Sequence, residues 1–452
     1  MPRRAKLDSD VVWARICRAL VRGPASAADL ARWADISQPS FARLAAQHDS
    51  ELLRAGRARA TRYALLRQVT DISQPLPIYE IDTKGRSHQL AELNLVFPGG
   101  CYVRGAVESV SSEFFGDQPY FLHDLRPSGF LGRLVPDQHP ELQLPADVRL
   151  WSGEQTLRYL SKFGSDAPGN LIVGDGALAR YRKSVVASNV VPVDQRLARY
   201  PQLAADVLGA TPPGSSAGGE QPKFLVSLDP DPIAVLVKFS PPTDTAVGRR
   251  YADLLVAEHV AHQVLARANC AAARSELLEA ESRIFLQVTR FDRTPEGGRR
   301  GVISFEALDA EFVGKGTTWS DIARALGEQR RLDADAVQEV EWREQFGAWI
   351  GNTDMHPGNL SLFTVALRPA GLAPVYDMVP MQYAPHQGNL VTRPLVPAKP
   401  HPRVADVWAD AGRVARTFWE TLARHPLLSD AFQRTAMENA ALVDRTLQDF
   451  TH

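Results

Sequence analysis

The stretch that most constrains this chain is Ile350-Gly-Asn-Thr-Asp-Met-His-Pro-Gly-Asn-Leu-Ser-Leu-Phe363, followed by Val375-Tyr-Asp-Met378. It sets Asp354 and Asn359 five residues apart, between an apolar helix end and a strand-like run, with Asp377 eighteen residues beyond Asn359. Magnesium is a hard ion that takes oxygen ligands and keeps several waters. One carboxylate, one amide oxygen and the phosphates of a nucleotide suffice as its partners. A turn tightened by Pro357 and Gly358 lets Asp354 and Asn359 face one pocket without a helix between them. This is the layout of a phosphoryl-transfer loop. Asp and Asn favour loops in any protein, so the spacing gains its weight only from the residues that accompany it.

A chain of 452 residues is too long for one ordinary core, which predicts two or three domains. Hydrophobic content of 44% and charged content of 23% are those of a globular protein. No apolar run approaches the roughly 18 residues that cross a bilayer, and Met-Pro-Arg-Arg lacks the apolar core of a signal peptide. The expectation is a cytoplasmic protein with no membrane partner. Cys17, Cys101 and Cys270 are scattered, which argues against a disulfide framework or a zinc site.

Charge divides the chain. Residues 1–70 carry 13 Lys/Arg against 6 Asp/Glu, or +7, and the remainder carries 38 against 46, or −8. A basic head on an acidic body suggests that the head meets a polyanion. Within it, Val12, Ile16, Ala19 and Leu20 recur at helical spacing, Ser26 caps a second helix, and Ser37-Gln-Pro-Ser-Phe-Ala-Arg-Leu44 opens a third. Residues 51–66 read as two short strands joined by an arginine-bearing turn. Three helices and a basic hairpin resemble a winged helix-turn-helix. That resemblance puts Gln38, Ser40 and Arg43 near base edges, and Arg57, Arg59 and Arg62 on phosphates.

Residues 71–145 alternate in the manner of a small β-rich subdomain. Residues 146–304 begin mostly helical and reach Gly214-Ser-Ser-Ala-Gly-Gly-Glu-Gln-Pro-Lys-Phe224, whose small residues, Gly218 and Gly219 among them, free backbone amides to approach phosphate. Lys238 then falls on a strand, on the face of Ala234 and Leu236, where a lysine needs an anionic partner. Glu258 lies in register with Leu254, Ala261 and Leu265 on the next helix. A strand lysine paired with a helix glutamate is how protein kinases grip α- and β-phosphates, and an Asp-x4-Asn loop followed by a further Asp is their catalytic and metal apparatus. Phe291, in Arg290-Phe-Asp-Arg293, falls where a nucleotide-binding linker between two lobes belongs. Residues 305–452 read as a helical lobe.

These residues together resemble the HipA-type serine/threonine kinases of bacterial toxin–antitoxin systems. The similarity rests on Ser216-Ala-Gly-Gly-Glu-Gln-Pro-Lys223, Lys238, Arg290-Phe-Asp-Arg293, Gly351-Asn-Thr-Asp-Met-His-Pro-Gly-Asn359 and Tyr376-Asp377, in family order over roughly residues 75–450. It implies an α+β, two-lobed kinase-like fold, ATP with magnesium, and transfer of the γ-phosphoryl group to a protein serine or threonine. Asp354 would orient the substrate hydroxyl, Asn359 and Asp377 would hold the metal, and Lys238 and Glu258 would serve the phosphates. His356 matches a family histidine in the loop, grouped with the ATP-binding residues in a structural rather than a catalytic part, and Ser216, with Ser215 beside it, matches an autophosphorylated loop serine. Two departures stand out: Gly358 replaces a commonly basic residue, and the chain carries its own winged-helix-like head, as a longer branch of the family does. An antitoxin partner and a homodimer on a two-fold DNA site follow as expectations. The alternatives are a nucleotide-sensing transcriptional regulator that transfers nothing and a small-molecule phosphotransferase.

Overall fold

The structure, a computed structural model, describes residues 8–187, 190–210, 221–314, 316, 318–391, 393–397 and 399–450. Capping residues begin the N-terminal helices. Asp8 accepts from Asp10 N at the start of α1 (Ser9–Leu20), and Ser26 and Ser37 accept from Asp29 N and Ser40 N at the starts of α2 (Ala27–Trp33) and α3 (Gln38–Gln47). Pro39 occupies the first turn of α3, where its missing N–H costs nothing. Strands β1 (Leu52–Ala55) and β2 (Arg62–Leu65) close an antiparallel hairpin. Val12, Ile16, Leu20, Leu30, Phe41 and Leu44 form the core of this unit. Trp13, left out of the stripe drawn from sequence, is buried in the same cluster and stacks on His48 at 3.9 Å, whereas Ala19 is only half-buried.

The hairpin runs straight into the next unit. Leu66 bridges Val96, and Phe97 N donates to Leu65 O. Leu53, Ala55 and Ala64 pack against Val96 and Tyr102. That unit contains β3 (Leu76–Ile81), β4 (Ser87–Leu95), β5 (Cys101–Gly105), β6 (Glu113–Phe115), α4 (Gly129–Gln138), α5 (Gly153–Phe163), β7 (Leu171–Val173) and α6 (Asp175–Ala187). The β-rich region expected to stop at residue 145 extends further. Strand β7 pairs with β3 through Ile78–Val173, and a pairing across so many residues leaves no local pattern in the sequence.

After β8 (Val190–Pro192) and α7 (Arg196–Gly209) come β9 (Lys223–Asp229), β10 (Ala234–Phe239), α8 (Ala246–Arg267), β11 (Ser275–Ala280) and β12 (Arg283–Thr289). The chain then forms β13 (Gly301–Ser304), α9 (Phe305–Leu308) leading into a π-helical turn, α10 (Trp319–Glu328), α11 (Ala334–Trp349), β14 (Ser361–Val365), β15 (Arg368–Leu372), α12 (Ala405–Ala423) and α13 (Asp430–Phe450). Among the described residues the larger sheets are ordered β6-β5-β4-β3-β7, β11-β12-β10-β9-β8 and β13-β14-β15. Strand β13 precedes residue 305, where the helical lobe was expected to begin, yet it pairs with β14 and so belongs to that lobe. Phe346, Trp349, Phe418 and Trp419 fill the core of the helical lobe, and the inner face of α8 joins them. Asp253 of α8 accepts from Ser429 N and Oγ, tying this helix to the start of α13.

Candidate active site

The loop begins where α11 is forced to stop. Gly351 takes φ +73°, a conformation that favours glycine, and a Cβ there would lie 2.8 Å from the Gln382 carboxamide. Asn352 follows, buried, its Oδ1 accepting from Asp354 N at 3.0 Å. His356 caps the short turn Pro357–Asn359, its Nδ1 accepting from Gly358 N, while its carbonyl accepts from Trp319 Nε1 at 2.9 Å. Asn359 Nδ2 donates to Asp354 O at 2.9 Å, which closes the loop and leaves Oδ1 without a hydrogen-bond donor among the described residues. The Asp354 side chain is exposed at the rim. A Cβ on Gly358 would lie 2.9 Å from Glu306 Oε2 and 2.8 Å from the His356 ring, so any larger residue there requires these side chains to shift.

The Tyr376-Asp377-Met378 segment is stitched to both ends of this loop. Tyr376 OH donates to Gly358 O at 2.8 Å, and Asn352 Nδ2 reaches Met378 Sδ at 3.6 Å. Between them Asp377 adopts φ +52°, an uncommon conformation for a side chain other than glycine, and its carboxylate bonds Lys238 Nζ. Lys238 also donates to both oxygens of Glu258, at 2.7 and 2.9 Å. The lysine and glutamate side chains are 8% and 3% exposed and that of Asp377 is 36% exposed, so the cluster opens to solvent on the Asp377 side. Burial disfavours the Lys238 ammonium, but Asp377 and Glu258 outweigh it and raise its pKa. Burial likewise opposes ionised Asp377, yet Lys238 and Lys223 hold that carboxyl well below the usual range. Burial raises Glu258 despite Lys238, and the Asp377 carboxylate adds to the rise.

Lys238, Glu258 and Asp377 therefore meet, and Asp354 and Asn359 share one closed loop bonded to the Asp377 segment. Phe291 packs against Tyr376 and Phe363 at ring separations of 5.7 and 5.9 Å. On either side of it, Arg290 and Arg293 both bind Asp292, at 3.1 and 2.7 Å, and Asp166 of the preceding unit, at 2.9 and 2.7 Å. Gly218, Gly219, Ser215 and Ser216 lie outside the described residues. In the N-terminal unit Gln38, Arg43, Arg57, Arg59 and Arg62 are exposed, whereas Ser40 is half-buried with its hydroxyl 2.9 Å from Ser37 Oγ.

Sequence reasoning passed over Asn352, Tyr376 as a loop anchor, and Lys223, which stands opposite Lys238 on the neighbouring strand. It also passed over His262, one helical turn beyond Glu258, where the i,i+4 spacing was a usable signal. Chemically, the donors fit a hard cation and a polyphosphate. The Asn359 Oδ1 and the second Asp377 oxygen are hard ligands, and the Lys238 ammonium stands beside them with Lys223 opposite on the next strand.

The family model described as HipA-like C-terminal domain matches residues 215–442, and that described as YjjJ-like toxin, middle domain, matches residues 72–182. The chain is 40% identical over 427 residues to Toxin YjjJ of Escherichia coli (strain K12), covering 93% of this chain and 95% of that one. HipA of Shewanella oneidensis MR-1, whose structure was determined with HipB and operator DNA, superimposes with a TM-score of 0.52 at 14% identity. That likeness covers 82% of this chain and 97% of the other and speaks to fold alone. The Helicobacter pylori proinflammatory kinase CtkA aligns over 54% of this chain and 93% of its own, with a TM-score of 0.38 and 13% identity, too distant to build on. Among the described residues no helix is long and apolar enough to cross a membrane.

Proposed function

This chain belongs to the HipA-like family of toxins, and from that premise we propose that it is an ATP- and magnesium-dependent serine/threonine protein kinase with a DNA-binding head. The observation that carries the reading is the meeting of Lys238, Glu258 and Asp377 on a segment bonded to both ends of the Asp354–Asn359 loop. Asp354, exposed at the rim, is the group that accepts the proton of a substrate hydroxyl. Asn359 Oδ1 and Asp377 would hold magnesium, which when bound neutralises charge on the nucleotide phosphates. The three donors of Lys238 are all engaged, two on Glu258 and one on Asp377. A phosphate that takes up one of these donors would displace a carboxylate oxygen, and Asp377, at the open side of the cluster, is the partner whose release would leave a carboxylate able to hold the metal.

Residues 1–70 supply the head, with α3 offered to the major groove and Arg57, Arg59 and Arg62 to phosphates. The remaining assignments of this reading are an unidentified protein substrate, autophosphorylation at Ser216 or Ser215, an antitoxin partner and a dimer on DNA.

The test is incubation of the purified protein with γ-labelled ATP and magnesium, followed by mass spectrometry. Phosphate on Ser216 or Ser215, absent from an Asp354→Ala protein that still binds ATP, is the expected result. Full transfer by Asp354→Ala would remove the catalytic assignment. Nucleotide binding without transfer to itself or to any protein of a lysate would favour a nucleotide-sensing regulator. Footprinting on the protein's own promoter tests the head.

A further inference from the structure

Behind the Lys238–Glu258 pair lies a run of polar side chains that the proposed chemistry does not use. His259 and His262 are buried on α8, and Ser275 opens the adjacent strand β11. Ser275 Oγ lies 2.9 Å from His259 Nδ1 and 3.1 Å from His262 Nδ1. Gln263 Nε2, at the exposed end of the run, lies 2.8 Å from His259 Nε2. At the other end His262 Nε2 is buried with no hydrogen-bond partner among the described residues and faces Glu258 Oε1 at 3.9 Å.

Proton counting gives this run a direction. An amide nitrogen only donates, so His259 Nε2 accepts and the single proton of its neutral ring sits on Nδ1. That proton goes to Ser275 Oγ, whose own proton goes to His262 Nδ1, leaving the His262 proton on Nε2, facing the Glu258 carboxylate. The reverse order requires the Gln263 amide to be turned over, and it would set a bare nitrogen lone pair against a carboxylate. Both rings are held neutral. Burial and then Lys238 push His262 down to about 3, and burial and His425 lower His259.

We propose that His262 is a positioning residue, its Nε2–H oriented by the Gln263–His259–Ser275 chain so that the Glu258 carboxylate stays turned toward Lys238. At 3.9 Å the contact is charge to dipole rather than a hydrogen bond, and the buried surroundings leave it little screened. Its effect on nucleotide affinity rests on the reading that Lys238 and Glu258 grip ATP.

The first experiment is 15N NMR of the full-length, histidine-labelled protein, with the two signals assigned by substitution. It should find His262 protonated at Nε2 and His259 at Nδ1 in the absence of nucleotide. A proton on His262 Nδ1 would overturn the proposal. The second is a KM series with ATP: His262→Leu and Ser275→Ala should each raise KM about tenfold with kcat within about twofold, the mark of lost uniform binding. His262→Gln restores an N–H near the Nε2 position and should recover most of the loss, whereas a merely space-filling role predicts equal damage from Gln and Leu. Failure of that rescue with the expected tautomers present would overturn the role of His262 alone. Failure of the native protein to bind ATP would overturn that role and the kinase reading together.

Discussion

Two buried charge clusters in this chain are made of similar parts and behave differently. Around Lys238 one ammonium faces two carboxylates, with Lys223 near enough to influence Asp377, and the cluster opens to solvent at Asp377. Around Asp292 three arginines, Arg290, Arg293 and Arg299, face two aspartates, and the surplus positive charge is met by the Ser165 carbonyl and by the Tyr181 ring, 4.7 Å from Arg299 Cζ. Guanidinium is a planar fork that engages several acceptors at fixed angles, so the second cluster clamps the Phe291 linker to the preceding unit. Ammonium is a compact point charge that exchanges partners, which would suit the release of Asp377 that the proposed phosphate grip calls for. A cluster with an open face leaves its charges room to change partners, whereas a surplus distributed over carbonyls and a ring holds two units together.

Lys238→Met should produce the largest change. It leaves Glu258 buried without a partner, at a cost of about 3–5 kcal/mol in unfolding free energy, and weakens ATP binding more than about a hundredfold. Adding Glu258→Leu should restore most of the stability and none of the ATP binding, as read by urea unfolding and calorimetric titration. Recovery of both would erase the contrast between the clusters. Asp292→Ala should also cost about 3–5 kcal/mol, by leaving Arg290 and Arg293 short of a partner, but with a smaller effect on ATP affinity. An Arg290→Lys protein as stable as the native one would refute the fork argument.

A third effect is pH-dependent. Above about pH 6.5 His262 is neutral in folded and unfolded chains alike; below it the unfolded chain takes up a proton that the folded one refuses until about pH 3. Stability is therefore complete above about 6.5 and lost as the pH falls through that window, by on the order of a few kcal/mol, and His259 and His425, lowered chiefly by burial, add with the same sign. Unfolding midpoints measured across the window should flatten in His262→Gln. The smallest effects belong to exposed arginines. Arg57→Ala, Arg59→Ala or Arg62→Ala should each reduce the salt dependence of DNA binding by about one unit of slope and leave the unfolding midpoint where it is.

What the sequence displayed was whatever lay close together along it or shared a face. Ser26 and Ser37 announced their helices, Asp354 and Asn359 lay within one loop, and Glu258 was conspicuous as a charge on an apolar stripe. The pairing of β7 with β3, the reach of Asp166 to Arg290 and Arg293, and the Tyr376 bond to Gly358 join distant segments, and no periodicity records them. Trp13 was passed over although it stands three residues before Ile16 and seven before Leu20, and it joins their cluster as well as stacking on His48. His262 was overlooked because a histidine among apolar residues reads as packing until its second nitrogen is found without a partner.

The connector between β2 and β3 is no free tether. Gln74 binds Arg67 O and Leu95 N at 2.7 Å each, Arg67 N donates to Leu95 O, and the Arg67 guanidinium meets Glu154. A head on a slack tether would let its body sweep a sphere, but if the head seats on DNA as proposed, its bonds into the neighbouring sheet would pass the phase of the double helix on to the body. On DNA, the cleft would point in a direction that recurs once per turn, about every 10.5 base pairs. Copies seated a whole number of turns apart would present their sites to the same side of the duplex, and copies offset by half a turn would present them to opposite sides.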